Sequence, residues 1–236
     1  MSIFGFSTQS SSGSEFLPIV KYDARAGLWF RIDRVDTGQG FVPEPVDITR
    51  GFKAIFDLEN LQTGWISFPS GSAPLSSFVM MKDLRAQSMG LPPRPGENFN
   101  NGLRFMIKLA RDIGGDKPIR EVMTTAGSFM NGIEALYLEY EKEAAANAGK
   151  LPVVVMDGIT LIKSGSGNRT SSNYRPNLKI VGWVPRGDLE WKPRANIETP
   201  AVQAGNGAAP ASRPATGATR AAPPAQAASF DASDFG

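Results

Sequence analysis

The chain predicts a mainly β domain with one long helix, an α+β fold, followed by a tail that does not fold. Three observations carry that prediction. Apolar residues recur with period two through most of the chain up to about residue 195. One stretch, 126–148, keeps the spacing of a helix instead. From about residue 196 large apolar side chains almost vanish, and Ala, Pro, Gly, Ser, Thr and Gln take over.

The elements follow in order. Residues 1–15 are small and polar and are expected to be mobile. Residues 16–22 read as a first short strand. In 28–33, Leu28, Phe30 and Ile32 alternate with Trp29, Arg31 and Asp33, and Gly38, Gly40, Pro43 and Pro45 then make a loop. In 51–58, Phe52, Ala54, Phe56 and Leu58 share one face, with Lys53, Ile55 and Asp57 on the other. Ile66 and Phe68 oppose Trp65 and Ser67, and Pro69 and Gly71 end that strand. Residues 75–81 are a further strand. Pro92, Pro93 and Pro95 exclude helix and central strand from 89–102, which reads as an ordered loop or flap. In 102–110, Leu103, Phe105, Ile107 and Leu109 face inward and Arg104, Met106 and Lys108 outward.

The helix has Thr124, Thr125 and Ser128 as available caps and an apolar stripe of Phe129, Ile133, Leu136, Tyr137 and Tyr140; Asn147 and Gly149 end it. Two β-branched runs, 151–163 and 178–184, then flank a Gly/Ser-rich loop. In the second run Leu178, Ile180 and Val184 share one face, and Lys179, Val181 and Trp183 the other. Residues 196–228 form a linker that cannot bury enough surface to offset its ordering entropy, so it is expected to be a disordered tether. The chain closes on an aromatic and acidic tip, 229–236, with Phe230, Asp231, Asp234 and Phe235.

Alternation in nearly every strand argues for antiparallel pairing. Residues 16–195 therefore suit an OB-like Greek-key barrel of about five strands, with the helix ahead of the last ones and extra strands as decoration. A β-sandwich with a packed helix is the alternative.

Composition excludes several chemistries. The 236 residues contain no cysteine and no histidine. Disulfides, thiolate metal sites and Ser-His-Asp or Cys-His catalysis are thereby removed, and a non-enzymatic protein without a cofactor is expected. The N-terminus lacks the basic start and apolar run of a signal peptide, and no segment is long enough to span a bilayer, which suggests the cytoplasm and no membrane partner. Formal net charge is only +2, but 163–194 holds seven cations against two anions. Such a local patch suits a polyanion.

The faces add a pattern. Trp29 with Arg31, Lys53, Trp65, Arg104 with Lys108, and Lys179 with Trp183 all stand opposite the apolar stripe of their own strands. Arg169, Tyr174 and Arg175 extend the set in and beside the Gly/Ser loop. On one sheet these residues would form a stacking platform edged by positive charge, which suits single-stranded nucleic acid of any sequence.

A basic, aromatic OB-like core, a Pro/Gly/Ala-rich tail and a Phe-and-Asp tip together resemble single-stranded DNA-binding proteins of bacteriophages and mobile elements. The resemblance spans residues 16–236. It implies sequence-independent binding and protection of single-stranded DNA in replication, recombination or repair. It also implies a tip, Phe230, Asp231, Asp234 and Phe235, that recruits replication or recombination proteins and competes with DNA for the basic groove. The tip departs from that pattern in having two acids and a glycine after the last phenylalanine. Assembly into a homo-oligomer is compatible with this reading. A structural or assembly protein, such as a virion component using the aromatic face as a protein interface, is the alternative. A metal-dependent nuclease built on Asp and Glu is the third.

Overall fold

The computed structural model describes residues 17–70, 73–87, 90–164, 170–192 and 232–235. Among these, ten strands join in one mixed sheet. β1 (Ile19–Asp23), β2 (Leu28–Asp36) and β3 (Phe41–Asp47) form an antiparallel meander. β4 (Lys53–Phe56) and β5 (Gln62–Ser67) are separated by a single 3-10 turn, Leu58–Asn60. Both lie along the same edge of the long β7 (Asn100–Leu109), and β6 (Leu75–Met80) covers the far side of β5. A short α1 (Met81–Gln87) follows β6, and a single turn, α2 (Arg111–Gly114), follows β7. β8 (Ile119–Thr124) pairs antiparallel with β7 and parallel with β1. After α3 (Gly127–Glu143), β9 (Lys150–Ser164) and β10 (Ser171–Pro185) form a hairpin of two 15-residue strands. The order across the sheet is β10-β9-β4-β7-β8-β1-β2-β3.

The sheet curls strongly but does not close into a barrel, because β3 and β10 remain edges. Its nearest return is at the β1–β2 turn. There the Tyr174 amide donates to the Ala24 carbonyl at 2.6 Å, and the Tyr22 hydroxyl donates to the Tyr174 carbonyl at 3.3 Å. Gly27 makes that approach feasible. Its φ is +74°, and a Cβ would stand 2.8 Å from Ile159 Cδ1. The mainly β character, the long helix and the Pro-rich 90–99 loop match the sequence expectation. β3 does not: the sequence reading made it a loop. The helix also ends at Glu143 rather than near 148, since Ala144, Ala145 and Ala146 bring no large apolar surface to bury.

Both faces of the sheet carry a core. On the concave face, Phe129, Ile133, Leu136 and Tyr137 of α3 pack on Val20, Trp29, Phe56, Phe105, Ile107 and Val154. The helix lies against β10 so closely that a Cβ on Gly132 would stand 2.8 Å from the Pro176 carbonyl oxygen. On the convex face, Ile55, Met106, Leu151, Val153 and Val184 are buried beneath Leu189 and Phe235. Leu189 belongs to the segment that follows β10. Arg186 anchors that segment with a two-pronged contact to the buried Asp57 at 2.9 and 3.0 Å and another to Glu59 at 2.6 Å. The hydrogen bonds from Asp57 hold the Arg186 guanidinium firmly protonated.

Candidate nucleic-acid interface

The tryptophan–cation faces do not assemble as the sequence suggests. Trp29 has no exposed surface and stacks on Phe52, with ring centroids 4.2 Å apart and planes 14° apart. Tyr22 and Phe129 meet it edge-on at 5.3 and 5.2 Å. The parity was inverted: Trp29 faces the core, while Leu28, Phe30 and Ile32 on the opposite face are only half-buried. Apolar side chains stand on both sides of the first half of β2, and the larger ring takes the dry side.

Arg104 is likewise buried rather than offered to phosphate, with 0% of its side chain exposed. Its Nε donates to the Glu121 carboxylate, itself 1% exposed, and its Nη1 to Gln62 Oε1 at 3.0 Å. Nη2 donates to the Lys192 carbonyl, and the guanidinium lies 4.5 Å from the Trp191 ring centroid. Ile55 and Met106, assigned to the wet face, are also buried here.

Three further cations on the expected platform already hold carboxylates. Arg31 pairs with Asp33 at 2.8 Å and donates to the Ile113 carbonyl at 2.7 Å. Lys108 pairs with Asp188 at 2.8 Å. Lys53 pairs with Asp234 of the C-terminal tip. The tip residues that the structure describes form a 3-10 turn, Ala232–Phe235, on the convex face, and Phe235 retains only 7% of its surface. The expectation of a tip presented to partners therefore meets a tip held by its own domain. Arg169, Phe230 and Asp231 lie outside the described residues.

Trp65 and Trp183 are half-buried, and each indole N–H is satisfied. Trp65 donates to the Pro92 carbonyl at 2.6 Å, beneath the 90–99 flap. Arg94 lies 5.6 Å from the Trp65 ring centroid and also ties the flap down through the Phe99 carbonyl at 2.7 Å. Trp183 donates to Glu143 at 3.0 Å and stacks on Tyr140. Tyr174 is half-buried where β10 meets the β1–β2 turn.

Arg175 and Lys179 differ from all of these. They share one face of β10, an edge strand, and neither side chain has an acidic partner among the described residues. Arg175 is half-exposed and Lys179 exposed. Lys179 shares a groove with Glu139 and Glu143 of α3, which lowers the local potential there, whereas Arg175 does not line it. Lys163 is exposed on the neighbouring strand. Of the platform read from sequence, the structure thus leaves Tyr174, Arg175 and Lys179 together along the outer strand of the β9–β10 hairpin.

The sequence reading missed the β2–β3 hairpin. Val35, Phe41 and Val42 are among the most exposed large apolar side chains described, and the Arg34 guanidinium lies 5.7 Å from the Phe41 ring centroid. The available signal was Pro43 and Pro45 two residues apart, a spacing that suits an edge strand as well as a loop.

No family model, curated protein or solved structure matches the chain. Among the described residues, no helix is long and apolar enough to cross a membrane, and no cluster of three or more acidic side chains is placed to hold a metal ion.

Proposed function

We propose that the protein binds single-stranded DNA without sequence preference, in replication, recombination or repair, using the β9–β10 hairpin of an OB-like curved sheet. The observation that carries this reading is the unpaired charge on β10. Arg175 and Lys179 lie on an accessible edge strand next to Tyr174 and form no ion pair among the described residues, although Glu139 and Glu143 line the same groove as Lys179, while Arg31, Lys53, Arg104 and Lys108 are committed to acids. Unpaired cations beside aromatic rings suit a phosphate backbone with unstacked bases.

Titration with oligo(dT) tests the reading. Half-buried Trp183, on the same strand as Arg175, should be quenched, and the affinity should fall with salt. Arg175→Ala should lower the slope of log affinity against log salt by about 0.7. Lys179→Ala should lower it less, because Glu139 and Glu143 already offset that charge. An assembly protein that used this face for protein contacts would show neither quenching nor salt dependence.

The tip belongs to the same proposal. Phe230, Asp231, Asp234 and Phe235 recruit replication or recombination proteins, and Asp234 and Phe235 leave the convex face to do so, which breaks the Lys53–Asp234 pair. Deleting residues 229–236 should preserve or raise oligonucleotide affinity, with a larger gain at low salt, and should abolish partner recruitment. Loss of DNA binding on that deletion would place the tip within the DNA site instead.

A further inference from the structure

A cavity of about 490 Å³ opens between the β2–β3 hairpin and the segment around Gly115, away from the β9–β10 hairpin. Its charged lining is basic in excess, with Arg31, Arg34, Lys117 and Arg120 against Asp33, Glu44 and Asp116. The imbalance is sharpest at the floor. There Arg31 and Arg120 share one carboxylate, Asp33, at 2.8 and 2.7 Å. Burial pushes the Asp33 carboxyl upward, but hydrogen bonds from Arg31 and Arg120 outweigh it and hold the group ionised. One positive charge is left over. The Arg120 side chain is 3% exposed, and its Nε has no hydrogen-bond partner. Buried charge without a counter-charge is costly, so the floor favours an entering anion.

The rim supplies a second kind of surface. Phe41 is 62% exposed, and Arg34 sits over its ring. An aromatic face left bare in water gains by covering itself with another planar ring. The cavity volume lies in the range of small-molecule sites.

We infer that this cavity takes a nucleotide unit, with the phosphate held by Arg31, Lys117 and Arg120 and the base stacked on Phe41. The inference goes beyond strand binding by the β9–β10 hairpin and does not depend on it. A free nucleotide and the 5′-phosphorylated end of a strand share the required chemistry. Glu44, which stands directly across from Asp33 in the β2–β3 ladder, works against the phosphate and keeps binding moderate.

Calorimetric titration of the full chain tests this with dTMP, thymidine, inorganic phosphate, and oligo(dT) carrying either a 5′-phosphate or a 5′-hydroxyl. dTMP should bind more tightly than thymidine or inorganic phosphate alone. Phe41→Ala should weaken dTMP by about 5- to 150-fold, the range of one lost stacking contact. Lys117→Ala should weaken it as well, and Glu44→Gln should strengthen it. All three positions are exposed, so folding should survive each change. A preference for the 5′-phosphorylated oligonucleotide assigns the site to strand ends, and dTMP binding without that preference assigns it to free nucleotides. Equal affinity for dTMP and thymidine overturns the inference, as does dTMP binding indifferent to both Phe41→Ala and Lys117→Ala. Oligo(dT) binding that persists while dTMP fails to bind overturns it too, and leaves the hairpin reading intact.

Discussion

Arg104→Ala should unfold the domain more readily rather than weaken DNA binding selectively. The guanidinium ties together four parts of the chain: β7 itself, β8 through Glu121, β5 through Gln62, and the segment after β10 through the Lys192 carbonyl and the Trp191 ring. Removing it strands the Glu121 carboxylate, 1% exposed, without its guanidinium. Breaking a buried pair from one side costs about 3–5 kcal/mol, because the remaining charge stays out of water. For a domain of this size that corresponds to a fall in Tm of about 6–20 °C. The control is Arg104→Met combined with Glu121→Leu, which removes both charges and keeps the volume. That double variant should recover most of the loss. Thermal unfolding followed by circular dichroism reads both. A stable Arg104→Ala protein with reduced oligonucleotide affinity would return Arg104 to the binding face.

Arg104 also shows where the sequence stops being legible. Alternation revealed β2, β4, β5, β7 and β10, a β-branched run revealed β9, and helical spacing revealed α3. Alternation marks two faces of a strand, but it does not say which is dry. Here the convex face is covered in part by residues far off in sequence, Leu189 and Phe235, and nothing local in β4 or β7 announces them. Ile55 and Met106 thus looked wet and are buried, and Arg104 beside them looked like a phosphate contact. β8 was missed for a related reason. Its Arg120 and Glu121 interrupt the apolar pattern, yet both are buried because Asp33 and Arg104 pair with them from other strands. β3 was missed because Pro43 and Pro45 read as breakers. They fall two residues apart, so both ring nitrogens point to the same side, and on an edge strand that side needs no ladder partner. The candidate site was legible only where the sheet is bare. Tyr174, Arg175 and Lys179 lie on an outer strand, and among the described residues neither cation is taken up in an ion pair by a segment that follows β10.

Trp29→Ala should be comparably damaging, and for a packing reason. The indole fills the space between Phe52, Tyr22 and Phe129, so it joins β2 to the start of β4, to β1 and to α3. Truncating a buried tryptophan to alanine costs about 3–5 kcal/mol, from lost burial and from the cavity that the neighbours cannot fill. Trp29→Phe should cost much less, since a ring can still stack on Phe52 and the Trp29 Nε1 has no hydrogen-bond partner to lose. The pair of variants separates the two roles that this residue could have. A base-stacking tryptophan on an open face would lose about 1–3 kcal/mol of oligonucleotide affinity on truncation with the fold intact. The packed indole seen here predicts the reverse, a large fall in denaturant midpoint with unchanged affinity in the fraction that remains folded. Chemical denaturation together with oligo(dT) titration of Trp29→Ala decides between them.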